Sequence, residues 1–231
     1  MNIHTFDTDI GRYYQVGDNA YPSVSTIIAN TKSPKEKAIL SNWRKKVGYK
    51  QANIITQSAC SRGSLLHKCV EHLINGDLSN FNNLGSNEAI VDFIKPSLKV
   101  FAHISKCQSL GTEEVVYNTD LGYAGRFDYY AHSPSGKKVL IDWKTSSQKK
   151  PLEYCNNYFL QLTAYSLALK KMQGNSPDEL AVIVFYENTP ADVYRVSVQD
   201  NQYVTYQEEF IDRLAKFNQL TMSAKLETKI P

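Results

Sequence analysis

At 231 residues, 42% of them hydrophobic and 21% charged, the chain has an ordinary globular composition and enough length to bury a core without staples. Its formal net charge of +3 is no argument for a nucleic-acid partner, so any DNA-facing charge must be local. Cys60, Cys69, Cys107 and Cys155 form no CxxC pair, which excludes the usual zinc and iron–sulfur spacings and leaves scattered buried thiols in a reducing cytosol as the simpler reading. There is no secretory h-region, no bilayer-length apolar stretch and no internal repeat, so the expectation is a soluble intracellular protein with no membrane association.

Taken in order, Arg12 to Ala20 places strand-like aromatics before a Gly-Asp-Asn turn. Ser23 or Ser25 then caps a helix-competent stretch. Ser33 caps another, with Pro34 at its first helical position. Leu65, Leu66, Cys69, Val70, Leu73 and Ile74 recur at helical spacing, which predicts an amphipathic helix over Ser61 to Ile74. A further helix is expected from Asn87 to Cys107, with a kink at Pro96. From Gly111 the period changes. The stretch to Ser146 is strand-rich, with turns at Asp120 to Gly122 and at Ser133 to Gly136. Tyr154 to Lys171 reads as helix, Leu180 to Glu187 as a buried strand, Ala191 to Val198 as a half-exposed strand and Tyr203 to Lys225 as helix. The order predicts an α/β or α+β fold: a central sheet core over 109–231 and a mainly helical N-terminal lobe over 1–108, within one domain spanning 1–231.

The turn at Ser133 to Gly136 sets residues whose numbers sum to about 270 opposite one another. Asp128 and Asp142 are such a pair, which makes them cross-strand neighbours. Alternation along the strand gives Leu140, Asp142 and Lys144 one face and Val139, Ile141 and Trp143 the other. Two adjacent carboxylates repel unless a cation or a proton joins them. Oxygen ligands of high charge suit Mg²⁺, with Mn²⁺ as a substitute. A nearby lysine can orient a water or offset charge developing on a phosphate. The bland alternative, a solvated surface hairpin with an Asp–Lys pair, loses ground to the apolar strand before Asp142, the facing Asp128 and the glycine at Gly125, where a close backbone approach or a bulge is expected.

At this point the strings resemble a family. GRFD (Gly125 to Asp128), then IDWKT (Ile141 to Thr145), then QLTAY (Gln161 to Tyr165) are similar to the RecB-like branch of PD-(D/E)XK nucleases. Upstream, YPSV (Tyr21 to Val24), the Trp43-Arg44 helix and GSLLH (Gly63 to His67) resemble the family of the mitochondrial genome maintenance exonuclease and its phage relatives. Asp142 stands where the name motif more often has Glu. The resemblance implies a restriction-endonuclease-like fold, with a mixed sheet whose antiparallel catalytic hairpin is flanked by helices. It implies a divalent metal held by Asp128, Asp142, the Trp143 main-chain carbonyl and His67, and it implies Lys144 at the hydrolytic water or the scissile phosphate. Adjacent strand residues face opposite ways, so only one of Glu113 and Glu114 can look into the site, and the resemblance favours Glu114. Gln161 and Tyr165 would support the site from one helix face.

Phosphate contacts are expected from Arg44, Lys45, Arg126, Lys149 and Lys150, although charge runs are more often solvated faces. The functional expectation is a Mg²⁺-dependent DNA exonuclease in replication, repair or recombination, acting on single-stranded DNA or a flap end under a clamp of N-terminal helices. The alternatives are a double-strand-dependent 5′→3′ exonuclease of phage type and, from another class, an inactive nucleic-acid-binding module. A monomer or small homo-oligomer in the cytoplasm of a bacterium or phage-infected cell completes the reading.

Overall fold

The computed structural model describes residues 3–227, and their side chains as far as residue 223. The chain starts as an antiparallel meander of β1 (Ile3–Thr8), β2 (Gly11–Val16) and β3 (Asn19–Pro22). β2 and the turn lie where the aromatics and the Gly-Asp-Asn signal predict them, whereas the sequence predicts no strand at β3. β1 carries no such signal: five of its six residues are exposed, so no apolar alternation marks it. Ser23 caps α1 (Val24–Asn30) by accepting from the Thr26 N–H at 3.0 Å. Ser33 and Glu36 form a reciprocal capping box on α2 (Pro34–Val47), with Pro34 in the first turn as expected.

α3 (Tyr49–Ile74) begins well before Ser61. Its first half buries only Ala52, so that half has no periodic apolar face to read. α4 (Leu78–Gly85) follows. The single helix expected from Asn87 to Cys107 is instead two short helices, α5 (Val91–Ile94) and α6 (Leu98–Ile104), joined by a 3₁₀ turn over Lys95–Ser97. Pro96 does more than kink the helix there, because it lacks the N–H and its ring clashes with the preceding turn.

The remaining elements are β4 (Gln108–Thr112), β5 (Val115–Asn118), β6 (Tyr123–Arg126), β7 (Tyr129–His132), β8 (Lys138–Ser146), α7 (Asn156–Gln173), β9 (Glu179–Tyr186), β10 (Thr189–Ser197) and α8 (Asn201–Glu227). Five of these strands form the main sheet in the order β10-β9-β8-β7-β4. Only β8 and β9 are parallel, and α7 supplies the crossover that a parallel pair requires. The result is the mixed α/β fold expected from the sequence. In the β7–β8 hairpin, Tyr129 faces Ile141 and Tyr130 faces Leu140, the register given by the turn.

Alternation then splits the core into two layers. Leu140, Leu180, Val182 and Val184 pack against Phe159, Leu160 and Leu162 of α7 and Phe210 of α8. Val139, Ile141, Trp143 and Ile183 pack on the other face against Leu66, Cys69 and Val70 of α3 and Phe101 of α6. Both faces of β8 are therefore covered, as suits a strand in a parallel pair.

What positions the site is a fault in the strands. β4 and β7 belong to the main sheet, but β5 and β6 peel away as a separate ribbon. The break falls at Glu113–Glu114 on one side and Phe127–Asp128 on the other, tied across by the Glu113 N–H to the Asp128 carbonyl (3.0 Å) and the Phe127 N–H to the Glu114 carbonyl (3.2 Å). The ribbon is fastened to the N-terminal meander by a bridge between Ser23 and Ala124. Among the described residues, no helix is long and apolar enough to cross a membrane.

Candidate active site

Asp142 projects from the centre of β8 and is 1% exposed. Its Oδ1 accepts from Lys144 Nζ at 2.5 Å, while its Oδ2 is buried without a hydrogen-bond partner. Across the hairpin, Asp128 Oδ2 accepts from the Trp143 N–H at 2.8 Å, so the hairpin holds both carboxylates against one short stretch of β8. Burial, and then the charge of Asp142, pushes the Asp128 carboxyl up to about 7, against the opposing pull of His67 and Lys144. Burial works against the charge on Lys144, but Asp142 and Asp128 outweigh it and hold the ammonium above its ordinary range. Two buried carboxylates sharing one ammonium are short of positive charge.

His67 reaches the same point from α3. Its Nε2 lies 3.1 Å from the Trp143 carbonyl, which can only accept, so this nitrogen is the donor. Nδ1 faces Glu113 Oε1 at 3.4 Å and Asp128 Oδ1 at 3.6 Å. Burial disfavours the imidazolium, yet the hydrogen bond it donates to Glu113 and the charge of Asp128 raise the pKa above the usual histidine value. His67, Glu113 and Asp128 each offer one ligand atom, and these atoms lie within 4.8 Å of one another.

The acid in this cluster is Glu113, while Glu114 is exposed on the other side of the strand break. The preference for Glu114 came from the resemblance, while alternation along a continuous extended strand allowed only one of the two acids inside. Glu113 instead has φ 52° and falls between β4 and β5, which breaks the alternation and turns its side chain inward. No sequence signal marks that backbone angle at a glutamate.

Gln161 and Tyr165 do share a face of α7, and Gln161 Nε2 donates to the Tyr165 hydroxyl at 3.0 Å. Burial carries the Tyr165 phenol well above its usual pKa. Both line the same groove as His67, Glu113 and Asp128, an opening of about 680 Å³. Gly125 is the reason Tyr165 fits. A Cβ on Gly125 would stand 2.3 Å from the Tyr165 ring, so the backbone and the ring meet at a distance that only glycine allows. Gly125→Ala is expected to displace the ring and cost about 1–3 kcal/mol in thermal or urea denaturation; an unchanged midpoint would show that the ring is free to move.

Of the basic residues, Arg126 lies in this groove, 3.8 Å from Glu113. Arg44, Lys45, Lys149 and Lys150 do not line it. Arg44 donates to Asn53 across the α2–α3 junction, and Lys149 lies 3.4 Å from Asp192. Lys150 donates to the Tyr158 hydroxyl at 2.7 Å. The groove also holds Arg12, Ser25, Ser64 and Lys68, none of which the sequence marked as a site residue, because they come from elements far apart in the chain.

The donor chemistry is imidazole nitrogen, carboxylate oxygen and a main-chain carbonyl, with an orphaned buried oxygen on Asp142. That set fits a hard divalent cation, and it would relieve the shortage of positive charge described above. His67, Glu113 and Asp128 are placed to hold such an ion, with Asp142 and the Trp143 carbonyl beside them.

Residues 88–227 match the family model of the PD-(D/E)XK nuclease superfamily. The chain belongs to that superfamily. It is 32% identical over 184 residues to mitochondrial genome maintenance exonuclease 1 of Mus musculus and 24% identical over 184 residues to that of Homo sapiens. Each match covers 75% of this chain and 52% of the relative, so the chain spans about half the length of the curated relatives it matches. Among solved structures, an exonuclease-designated protein of Eubacterium rectale overlaps with a TM-score of 0.46 and 15% identity, over 72% of this chain and 68% of that one.

Proposed function

We propose that the chain is a divalent-metal-dependent exonuclease, with Mg²⁺ as its ion and Mn²⁺ as a substitute, that shortens DNA from a single-stranded or flap end in replication, repair or recombination. The observation that carries this reading is the meeting of Asp128, Asp142 and Lys144 with His67 and Glu113 at the break between two sheets. Similarity to an exonuclease named for mitochondrial genome maintenance supports DNA as the substrate and an end as the point of attack.

The bound ion would supply charge to the scissile phosphate and lower the pKa of the attacking water. The chain's own residues do the rest. Asp128 is held by the Trp143 N–H, so its free oxygen points toward His67 and Glu113. Lys144 is half of an ion pair with Asp142, and it can turn from that partner to a water or a phosphate oxygen without leaving its field. Gln161 and Tyr165 close one wall and keep a hydroxyl beside the carboxylates. α2 has no buried residue, and the start of α3 exposes Tyr49, Ile54 and Ile55. A helical pair with so little core of its own suits a clamp over a strand.

The test is digestion of end-labelled single-stranded, double-stranded, flap and circular DNA with Mg²⁺ or Mn²⁺. Loss of label from linear single strands and flaps, with circles intact, is the expected result. Cleaved circles would replace the exonuclease by an endonuclease. Digestion confined to duplex ends would favour the double-strand-dependent, phage-type reading. Binding without any cleavage would favour an inactive module.

A further inference from the structure

α3 carries a glycine that neither its backbone nor its packing requires. Gly63 sits inside a 26-residue helix, where glycine is a poorer choice than alanine. Its φ is not in the left-handed region, and a Cβ built on it meets no atom within 4 Å. No neighbouring element approaches the helix through it, in contrast to Gly125 against Tyr165. What Gly63 leaves is open space, and that space lies where two hollows meet.

The first hollow is the active-site groove, in which Arg12, Lys68 and Arg126 stand alongside Glu71 and the acids of the cluster. The second, of about 420 Å³, is walled by Trp43, Ile55 and Ala59 on one side and by Lys144 and Thr145 at the end of β8 on the other. Cys60, Gly63 and His67 line both. These three residues fall at helical spacing, so one face of α3 forms the shared rim, with Gly63 at its middle. The two hollows differ in chemistry. Arg12, Lys68 and Arg126 in the first suit phosphates, whereas the Trp43, Ile55 and Ala59 wall of the second suits the faces of bases, with Lys144 across from it.

We propose that a single strand of DNA crosses the catalytic centre over Gly63, with phosphates toward Arg12 and Lys68 on one side and bases against Trp43 and Ile55 on the other, and that Gly63 sets the clearance of this passage. The proposal rests on the nuclease reading above, and it makes Gly63 a determinant of which substrates pass.

The experiment uses Gly63→Trp and Gly63→Ala in the full chain, with fluorescence anisotropy of labelled oligothymidylates of increasing length and Ca²⁺ as the divalent ion. Gly63→Trp is expected to weaken binding of strands long enough to fill both hollows by roughly tenfold or more, and to weaken the shortest ones much less, so that the ratio to wild type grows with length. Gly63→Ala is expected to melt about 2–4 °C higher than wild type, because alanine favours the helix and its methyl enters open space. A loss in Gly63→Trp that is independent of length would mean that the indole acts by shifting His67, and it would overturn the proposal. Wild-type affinity at every length would overturn it too, as would a lower melting point for Gly63→Ala. The readout is binding, so a wild-type chain that cuts nothing would count against the nuclease reading and leave this measurement standing.

Discussion

Asp142→Asn is expected to lower cleavage of labelled single-stranded DNA by a factor of about 10²–10³ or more, and Lys144→Ala by a similar factor. The two losses have one origin. Asp142 keeps one oxygen on Lys144 and the other buried without a partner, so the amide would lose both the ammonium's strongest contact and an oxygen suited to a cation. Lys144→Ala removes the mobile charge and leaves Asp142 buried and unpaired, so this variant is also expected to melt lower. Circular dichroism and thermal melting separate lost chemistry from lost fold. Cleavage within tenfold of wild type by folded Asp142→Asn would remove this pair from the catalytic assignment.

Asp128→Asn is expected to behave in the opposite way on stability while also losing activity. The Asn side-chain carbonyl can still accept from the Trp143 N–H, but the repulsion between two buried carboxylates is gone. Burial and Asp142 lift the Asp128 carboxyl to about 7, so the folded chain without metal is destabilised by forcing this charge at neutral pH. In the presence of a chelator, Asp128→Asn should therefore melt higher than wild type, by on the order of 1–2 kcal/mol or a few degrees. Added Mg²⁺ or Mn²⁺ should reverse the order. Wild type would gain about 2.7 kcal/mol at an ion concentration a hundred times its Kd. The variant, with a ligand missing, would gain little. Equal metal-induced shifts in the two proteins would show that the ion does not sit at Asp128. The trade is of a familiar physical kind: a site built to bind a cation is strained without it, and its substitution relieves the strain along with the function.

The sequence by itself determined the hairpin. A turn at Ser133 to Gly136 and strict alternation are local properties of the chain, so they placed Asp128 opposite Asp142, put Lys144 on the face of Asp142 and divided β8 between two core layers. Caps at Ser23 and Ser33 were legible for the same reason, since each is a hydrogen bond closed within a few residues. Only the tertiary structure decided the rest. Glu113 enters the cluster in place of Glu114 because two strand pairs part company there and one residue takes a left-handed turn, which depends on partners distant in the chain. The breadth of α3 was hidden because its first half packs against almost nothing, and the two-helix break at Pro96 exceeded a kink because the helices on either side dock separately on the sheet. Gly125 could be flagged as a close approach, but the tertiary fold alone says that the neighbour is Tyr165. Periodicity and turn chemistry act over a few residues, whereas the groove around His67 is assembled from the meander, α3, the ribbon and α7, and no short-range rule brings those together.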